Sequence, residues 1–456
     1  MLKKNTTLTL TITENNHLGF GVARHEGQIV FVSDALEGET VAAKILKVTK
    51  SYAVAKTEQI LVSSPYRQKD PCPQKGCGGC VLGSVSYERE LEIKKKGVEA
   101  SFLRAGMKGV VVDDVRTTQK VYHYRNKAQY PVSQNPDGTC RIGFFAAHSH
   151  RVVEARHCLL QPEVFGEIVD IVGAFIDEYK ISIYHEDTGK GLLRHIYLRR
   201  GEVTGEIMLV LVVCGNCLPH HDVLTKRLLD AGIPLVSFSL CENREDTNVV
   251  LGDTYHLLWG KPYIHDVLCG VRLKLSAPAF YQVNHDATEL LYGLAADMAD
   301  LKETDTLLDL YCGVGSIGLS MASRVKEVIG VEIVPSAVDC ARENALSSGI
   351  HNATFYCTDA ANIPTVLKEA EAERGEVVTP NVVILDPPRK GCDAQLLHFV
   401  STLSPAKIVY ISCNPDTLAR DAALLTSLGY HLGTVVPVNL FPRTSHVESV
   451  VCLTRK

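Results

Sequence analysis

Cys413, toward the end of the sequence, occupies a position suited to a catalytic nucleophile. It follows the apolar run 407–411, which predicts a buried parallel strand, and Pro415 prevents that strand from continuing. Open α/β sheets bind their ligands at the carboxyl ends of such strands. A thiolate there could add to an electrophilic substrate, although most free cysteines are simply small buried residues. Position alone leaves both interpretations open.

Glu448 is a second candidate for chemistry. It lies between valine-rich segments of what is predicted to be the last pair of strands. A carboxylate that is buried on such a strand could act as a general base. The alternative is an ordinary outward-facing residue on an edge strand.

Acidic residues at the ends of four predicted strands indicate a cofactor site. The first of these strands runs into the glycine-rich turn 312–318, which alone resembles a dinucleotide-binding fingerprint. Asp309 favours S-adenosylmethionine instead, because a carboxylate before the glycines can bind the amino acid end of that cofactor. Glu332 suits the ribose hydroxyls of either cofactor, Asp359 suits the adenine amino group, and Asp386 ends the fourth strand. Together the four acids predict an S-adenosylmethionine site.

The densest metal-binding pattern follows the first sixty residues. Cys72, Cys77 and Cys80 have the spacing Cys-x4-Cys-x2-Cys among prolines and glycines, which is typical of metal ligands. A site of four cysteines suits either zinc or an iron–sulfur cluster. Cys158 is the expected fourth ligand, and Cys140 is the alternative.

A second metal site is conceivable at 214–221. Cys214 and Cys217 precede two histidines there. Both cysteines follow the continuous apolar strand predicted at 207–213, so buried thiols are the simpler interpretation.

Composition is that of an ordinary globular protein with an uneven charge. The 456 residues are 46% hydrophobic and 22% charged. Residues 1–130 hold 20 Lys and Arg against 13 Asp and Glu, and the remainder holds 27 against 39, so +7 and −12 give the net charge of −5. A basic front part suits a protein that binds phosphates with one region only. Fifteen cysteines, no secretory signal and no long apolar run predict a cytoplasmic protein without membrane association.

Three regions are expected to position these residues, in an α/β fold. Short β-branched segments in 1–62 predict a small β-barrel of the oligonucleotide-binding sort. Residues 63–275 mix strands and helices around the cysteine pattern, which predicts an α+β central region. Residues 276–456 alternate apolar strands with helices, which predicts a doubly wound, Rossmann-like domain.

The central region is also expected to contact nucleic acid. A helix predicted at 85–106 carries Lys94, Lys95 and Lys96 on its exposed side, and the run 122–127 combines aromatic and basic residues. Aromatic side chains next to arginine could stack an unpaired base. Ordinary strand packing accounts for that run equally well.

Short motifs resemble the RNA uracil-C5 methyltransferases, and in particular the branch that acts on 23S ribosomal RNA. They are FYQVN at 280–284, DLYCGVGSIGL at 309–319, DPPRKG at 386–391, SCNP at 412–415 and HVE at 446–448. The run CPQKGCGGC with Cys158, and an N-terminal barrel similar to the family's TRAM domain, extend the resemblance over nearly the whole chain. One departure is the x4 spacing of the first two cysteines, where some members have x5.

The resemblance implies a role for individual residues. Cys413 matches the family's nucleophile and Glu448 its general base. The expected contacts to S-adenosylmethionine are Gln282, Tyr311, Glu332 and Asp386, to which the strand-end pattern adds Asp359. The expected ligands of a [4Fe–4S] cluster are Cys72, Cys77, Cys80 and Cys158. The implied substrate is a flipped uridine of 23S ribosomal RNA, and the protein is expected to be a monomer.

The chemistry of uracil agrees with these roles. C5 of uracil is a weak nucleophile, and addition of a thiolate at C6 raises its electron density enough to accept a methyl group. A base must then remove the C5 proton before the thiolate leaves. The uracil has to leave its stack to reach the strand ends, so base flipping is implied.

Three alternatives stay open at this point. A transfer RNA uracil-C5 methyltransferase is the nearest, although that branch typically lacks both the barrel and the cluster cysteines. An inactive RNA-binding protein is disfavoured because the SCNP and DPPR motifs and Glu448 are intact. An NAD dehydrogenase is disfavoured because no hydride-transfer chemistry accounts for Cys413.

Overall fold

The N-terminal region is a curled six-stranded sheet with one apolar core. The computed structural model describes residues 2–74, 76–375 and 377–456. The first strands are β1 (Thr7–Thr11), β2 (Glu14–Asn15), β3 (Gly21–His25), β4 (Gln28–Ser33), β5 (Thr40–Val48) and β6 (Tyr52–Val62). They pair in the order β1-β5-β6-β4-β3-β2. Alternate residues of β5, Val41, Ala43 and Ile45, are fully buried against Val30 and Val32 of β4, as expected for a small barrel with an apolar interior.

A long helix, α1 (Tyr87–Arg104), follows the cysteine run and packs on the C-terminal region. The hydroxyl of Ser86 caps its first turn by accepting a hydrogen bond from the Arg89 backbone N–H at 3.4 Å. Val98 and Phe102 enter an apolar core that they share with the C-terminal sheet. The helix therefore connects the front of the chain to the last third.

The central region is a seven-stranded sheet with two helices on one face. Its elements are β7 (Lys127–Gln134), β8 (Cys140–Phe145), β9 (Val152–Glu154), α2 (Glu163–Glu178), β10 (Leu193–Arg200), β11 (Ile207–Val213), α3 (His221–Asp230), β12 (Leu235–Glu242) and β13 (Thr254–Gly260). The strand order is β13-β12-β11-β10-β7-β8-β9. Ile196 and Leu198 of β10 point into the core with α2 and α3, and Tyr197 points to the opposite face.

The C-terminal region alternates strands and helices, as predicted. Its elements are β14 (Tyr263–Leu268), β15 (Val271–Ser276), α4 (His285–Ala299), β16 (Thr306–Leu310), α5 (Ser316–Met321), β17 (Glu327–Glu332), α6 (Pro335–Ser347), β18 (Ala353–Cys357), α7 (Ile363–Arg374), β19 (Val382–Leu385), α8 (Ala394–Leu403), β20 (Lys407–Ser412), α9 (Pro415–Ser427), β21 (Tyr430–Leu432), β22 (Val436–Val438) and β23 (Glu448–Arg455). Single 3₁₀ turns lie at Ala322–Arg324 and Ala360–Asn362.

The C-terminal sheet has the order β18-β17-β16-β19-β20-β23-β21, with β22 also beside β23. Strands β16 to β20 pair in parallel, and β23 runs antiparallel to β20. The order reverses between β16 and β19, so their carboxyl ends form the crevice where doubly wound sheets bind ligands. β23 has neighbours on both sides, so the expectation that Glu448 lies on an edge strand is wrong.

Part of the central sequence joins the C-terminal sheet. The segment 111–116 runs parallel to 435–439, where the Asp113 N–H donates to the Val435 carbonyl oxygen at 2.9 Å and the Arg116 N–H to that of Pro437 at 2.8 Å. The boundaries expected after residues 62 and 275 stay predictions. No helix among the described residues is long and apolar enough to span a membrane.

Candidate active site

Cys413 directly follows β20, and Glu448 is the first residue of β23, which is paired with β20. The two strands run antiparallel with Ser412 opposite Ser449 as the last pair, so Cys413 and Glu448 lie one residue beyond that pair and are close enough for the Glu448 charge to act on the thiol. Side chains directly opposite each other in antiparallel strands leave the same face of the sheet. Glu448 is buried and Cys413 is half-buried. The structure therefore brings the predicted nucleophile and base to one crevice.

Burial and nearby charges set the protonation of this pair. Burial, and then the Glu448 carboxylate, raises the pKa of Cys413 to about 11, while the Arg389 guanidinium opposes the rise. Burial, and then Asp386, raises the pKa of Glu448 well above its usual range, and Arg389 again opposes the rise. In the free protein the thiol is therefore protonated at neutral pH. Arg389 is the cation that favours the charged form of both groups.

The loop that carries Arg389 is fixed by the first turns of α9. The Arg389 carbonyl oxygen accepts hydrogen bonds from Asn414 Nδ2 at 3.1 Å and Thr417 Oγ1 at 3.4 Å. Arg420 Nη2 donates to the Lys390 carbonyl oxygen at 3.1 Å. Since α9 begins directly after the strand that presents the thiol, one helix positions both the thiol and the guanidinium.

A carboxylate oxygen of β16, next to the glycine-rich turn, has no hydrogen-bond partner in the part of the chain that the structure describes. Asp309 is fully buried; its Oδ2 accepts from the Gly318 N–H at 2.9 Å, and its Oδ1 has no partner among the described residues. Burial raises the pKa of Asp309 to about 7. A side chain at Gly318 would start 2.8 Å from this carboxylate, so glycine is required there. An ammonium group, such as that of S-adenosylmethionine, would pair the free oxygen.

Glu332 and Asp359 lie at the ends of the next two strands, as expected. Glu332 accepts backbone hydrogen bonds from Gly313 at 3.1 Å and Val334 at 2.9 Å, which fixes its carboxylate beside the glycine-rich turn. Each carboxylate oxygen has a second acceptor position, so ribose hydroxyls can still bind. Asp359 caps a 3₁₀ turn, accepting from the Ala361 N–H at 2.8 Å, and it is exposed.

Gln282 precedes α4, and Tyr311 directly follows β16. Gln282 is buried, and its backbone carbonyl oxygen accepts from Asn126 Nδ2 of the central region at 2.9 Å. Tyr311 directly follows β16 with φ of 65°, a left-handed conformation that is costly for a residue with a side chain. Strained residues of this kind cluster at ligand sites.

Tyr292 of α4 and the charge of Arg389 are site features that sequence analysis did not assign. The Tyr292 hydroxyl lies 3.1 Å from Ser316 Oγ, and burial followed by the Asp386 charge raises the pKa of Tyr292 well above its usual range. Burial also raises the pKa of Asp386 to about 7. Tyr292 carries no local signal, because only the fold brings α4 to the strand ends. Arg389 could have been assigned from its place in DPPRKG.

A buried ionic network joins α1 to the loop before Glu448. Lys94 Nζ donates to Glu90 Oε1 at 2.9 Å and to Asn439 Oδ1 at 2.6 Å. The Arg443 N–H also donates to Glu90 Oε1, at 3.0 Å. The prediction that Lys94 faces solvent is wrong: it is 2% exposed, because the loop supplies acceptors that a single helix cannot show.

Arg443 extends this network to the segment after the cysteine run. Its carbonyl oxygen accepts from the Leu82 N–H at 3.1 Å. Its guanidinium carbon lies 5.4 Å from the ring centres of both Tyr87 and Tyr122. The loop that leads to Glu448 is thereby fixed against the cysteine-bearing segment.

The four cysteines predicted as ligands lie within electrostatic range of one another. Burial, and then the thiolates of Cys158, Cys77 and Cys72, raises the pKa of Cys80. Burial also raises the pKa of Cys158 to about 11, with Cys77 and Cys72 adding to the rise. In the described part of the chain, no three His, Cys, Asp or Glu residues are grouped tightly enough for a single metal ion. Lys75, within the cysteine run, lies outside the described residues.

The other cysteines considered as ligands lie elsewhere. The Cys140 thiol faces α2, where it is 3.5 Å from the Gly173 carbonyl oxygen and 3.6 Å from Asp177 Oδ2. Cys217 is exposed and Cys214 is half-buried, so the interpretation of both as buried thiols is wrong.

Comparison with protein families gives two matches. Residues 263–456 match the model described as tRNA (Uracil-5-)-methyltransferase, and residues 2–57 match the TRAM domain. The C-terminal match covers the glycine-rich turn, Cys413 and Glu448, and the N-terminal match covers the curled sheet.

Curated relatives match the chain over its whole length. An uncharacterized RNA methyltransferase of Listeria monocytogenes serotype 4b is 39% identical over 454 residues, which are 99% of this chain and 98% of the relative. One from Halalkalibacterium halodurans is 38% identical, over 100% of this chain and 98% of the relative. Among solved structures, the Pyrococcus abyssi tRNA (uracil-54, C5)-methyltransferase in complex with S-adenosyl-L-homocysteine superposes with a TM-score of 0.78 and 27% identity, covering 98% of this chain and 99% of that chain.

Proposed function

The chain belongs to the family of S-adenosylmethionine-dependent RNA uracil-5 methyltransferases, and on that premise we propose that it methylates C5 of a uridine in 23S ribosomal RNA. The observation that carries the proposal is the closeness of Cys413, just after β20, to Glu448 at the start of β23, within the electrostatic range of Asp386 and Arg389. A nucleophile and a base on one face of the sheet are what addition to a pyrimidine ring requires.

The proposed reaction starts at Cys413. Its thiolate adds to C6 of the flipped uracil, and the electron pair of the C5–C6 bond moves onto the O4 enolate. Bound S-adenosylmethionine supplies the methyl group that C5 takes up. Glu448 then removes the proton from C5, and the electron pair of that bond re-forms the C5–C6 double bond as the thiolate leaves. Arg389 favours the thiolate in the first step and the carboxylate in the last.

The crevice fits the proposed methyl donor. The free Oδ1 of Asp309 suits its ammonium group, and Glu332 suits its ribose hydroxyls. We assign Gln282, Tyr311, Asp359 and Asp386 as the further contacts: the last three follow β16, β18 and β19, and Gln282 matches the FYQVN motif of the family. Two titrating carboxyls in the crevice also suit a ligand that carries positive charge.

Replacement of the thiol tests the nucleophile. Cys413→Ala should abolish methyl transfer from labelled S-adenosylmethionine to unmodified 23S RNA, because no other thiol is assigned to the crevice. Cys217→Ala, at an exposed cysteine, is the matched control and should keep full activity. Full activity of the Cys413 variant would disprove covalent catalysis at this residue.

Replacement of the carboxylate tests the base. Glu448→Gln should trap a covalent RNA adduct, since addition and methylation proceed while loss of the C5 proton stalls. The adduct would migrate as a slower band on a denaturing gel and would be absent from the double variant with Cys413→Ala. If Glu448→Gln turns over normally without an adduct, the assignment of this base fails.

A transfer RNA uridine is the second candidate substrate. The solved relative from Pyrococcus abyssi is a tRNA (uracil-54, C5)-methyltransferase, and it matches this chain almost end to end. The presence of an N-terminal barrel therefore does little to distinguish an enzyme that acts on 23S ribosomal RNA from one that acts on transfer RNA. Incubation with unmodified 23S RNA and unmodified transfer RNA, followed by mapping of the labelled uridine, distinguishes the two substrates.

We further propose that Cys72, Cys77, Cys80 and Cys158 hold a [4Fe–4S] cluster. The mutual electrostatic effect of the four thiols supports this, as does the Cys-x4-Cys-x2-Cys spacing of the first three in the sequence. Such a group would cross-link the cysteine run to the segment around Cys158. Protein purified without oxygen should contain iron and sulfide, and Cys80→Ser should lose both while Cys217→Ser keeps them. A stoichiometric zinc ion in the wild-type protein would contradict the cluster.

A further inference from the structure

Three basic side chains line one face of the central sheet where it meets the C-terminal region. Lys127, on β7, is the antiparallel partner of Arg199 on β10. Arg125 lies two residues before Lys127 on the same extended segment and therefore on the same face. Ala128 and Tyr130, which alternate with these residues, point into the core shared with α2. The three cations thus point away from that core.

These cations lie along the segment that contains the FYQVN motif. Arg199 donates to the carbonyl oxygens of Ser276 at 2.7 Å and Ala279 at 2.6 Å, so its guanidinium is fixed. Arg125 forms an isolated antiparallel bridge with Asn284. Partial burial, then the charges of Arg389, Lys94 and Arg125, lowers the pKa of His446 in the HVE motif. The three cations Arg125, Lys127 and Arg199 therefore form a row that begins at the mouth of the crevice and extends away from it.

In the part of the chain that the structure describes, Lys127 has no counter-charge. Among the described residues it forms no hydrogen bond or ion pair, and no carboxylate pairs with Arg125 or Arg199 either. Two carboxylates that are close in sequence to Arg199 and Asn284, those of Glu202 and Asp286, pair with Lys120 at 2.6 Å and 3.6 Å. Burial, followed by Arg199 and Arg125, lowers the pKa of Lys127 to about 8. A half-buried ammonium beside two guanidinium groups is unfavourable unless a ligand supplies negative charge.

We propose that Lys127 binds a backbone phosphate of the RNA substrate beside the flipped uridine, with Arg125 and Arg199 strengthening the local positive potential. The proposal rests on the function proposed above. Phosphate is the anion that an RNA bound across this crevice would present repeatedly, and lysine is well suited to bind it as a point charge. Arg199 is 1% exposed and occupied by two carbonyl groups, so it acts through its charge rather than by contact. Lys127 is the member of the row that is free to bind.

Salt-dependent RNA binding tests the site in the full-length protein. Filter binding of unmodified 23S RNA is measured over a series of potassium chloride concentrations for the wild type, Lys127→Gln and Lys127→Arg. Lys127→Gln should weaken binding severalfold and make the slope of log K against log salt shallower by about 0.7 to 0.9, the value for one lost phosphate contact. Lys127→Arg should restore both. Lys226→Gln, at an exposed lysine paired with Asp230 on α3, is the matched control and should change neither.

Two further measurements distinguish a phosphate contact from a structural role of Lys127 and from a role in binding the methyl donor. Without RNA, Lys127→Gln should unfold at a higher temperature than the wild type, because it removes an uncompensated charge, whereas loss of a structural residue would lower that temperature. Its affinity for S-adenosylmethionine alone should be unchanged. A weaker affinity for S-adenosylmethionine would reassign Lys127 to the carboxylate of the methyl donor and overturn the proposal.

The outcomes also distinguish this inference from the proposed function. Wild-type protein that methylates the RNA, together with an unchanged salt slope for Lys127→Gln, would overturn the phosphate site alone. Wild-type protein that neither binds nor methylates 23S RNA would overturn the proposed substrate first. The same series with transfer RNA then decides whether Lys127 contacts that RNA instead.

Discussion

Arg389 is the residue on which the reactivity of the crevice depends most directly. Its charge lowers the pKa of both Cys413 and Glu448 against the effect of burial. With the pKa of Cys413 near 11, the thiolate fraction of the free protein is small and grows about tenfold per pH unit through neutrality. The nucleophile is therefore mostly a protonated thiol until a nearby positive charge or the bound substrate shifts the equilibrium toward the thiolate.

The equilibrium between thiol and thiolate at Cys413 predicts how the rate of methyl transfer depends on pH. Single-turnover methyl transfer should accelerate as pH rises between about 7 and about 9, because the thiolate fraction increases below the pKa. Arg389→Gln should slow the reaction at every pH in this range and move its rise to higher pH, and Arg389→Lys should recover part of the rate. Lys390→Gln, at the exposed neighbouring residue, is the control. A rate independent of pH, or a rise shifted to lower pH in Arg389→Gln, would contradict this role.

The carboxyls of Asp309 and Asp386 predict proton release when the methyl donor binds. Both have a pKa of about 7 in the free protein, mainly because of burial. The ammonium and sulfonium of S-adenosylmethionine favour the carboxylate form, so binding should release protons at or below about pH 7. Calorimetric titration in buffers with different ionisation enthalpies measures the number released. Identical binding heats in all buffers would rule out this coupling.

At the level of single residues, sequence motifs identified most of the residues that are assigned to the candidate site. SCNP, HVE and DPPRKG identified Cys413, Glu448 and Asp386, because their spacing within each motif is local. The protonation of the pair was not accessible from sequence. It depends on burial by β20 and β23 and on a guanidinium held by another element.

At the scale of elements, α1 is a structural partner of the catalytic loop. Glu90 and Lys94 are buried one turn apart on the helix and bind Asn439 and Arg443 of that loop. A buried ion pair contributes little net stability by itself, but removal of one partner leaves a costly unpaired charge. The helix therefore controls how well the loop before Glu448 is fixed.

Substitution of Lys94 should be strongly destabilising. Lys94→Met removes the ammonium from the buried Glu90 carboxylate, which keeps only the Arg443 guanidinium at 3.6 Å, so we expect a cost of about 3 kcal/mol, the lower end for a broken buried pair. Lys95→Met, next to it on the helix, removes an exposed pair with Asp114 and should cost less than ~1 kcal/mol. Thermal unfolding of the two variants against the wild type measures the difference. Equal effects for Lys94 and Lys95 would show that the network does not stabilise the fold.

The bounds of helices and strands could largely be predicted from the sequence, but the elements against which they pack could not. The helix expected at 85–106 and the strand expected at 207–213 are found at Tyr87–Arg104 and Ile207–Val213. Lys94 was misplaced because helical periodicity shows only one helix at a time. Glu90 lies on the same helix, but the other acceptors of Lys94 belong to a loop more than 300 residues later, and no local pattern indicates that contact.

At the scale of the whole molecule, contact between distant parts of the chain is the main feature. Val98, Phe102 and Val112 belong to the same core as β19 and β20. Sequence analysis expected three consecutive regions, which is the simplest division of a chain with three composition patterns. The structure distributes the C-terminal core over two separated stretches, and this arrangement has no signal in composition.

The parallel course of 111–116 beside 435–439 means that the C-terminal region is not a transferable module. A protein cut before residue 263, where the family match begins, would leave the apolar surface under α1 and the edge at Val435 uncovered. Residues 263–456 expressed alone should therefore aggregate, and co-expression with residues 1–262 should recover a soluble pair that transfers methyl groups. A soluble, monomeric C-terminal piece would contradict this expectation.

The same contacts constrain recombination between relatives. An exchange of residues 263–456 would have to carry the matching residues 1–262 with it, so we expect the two halves to be inherited as one unit.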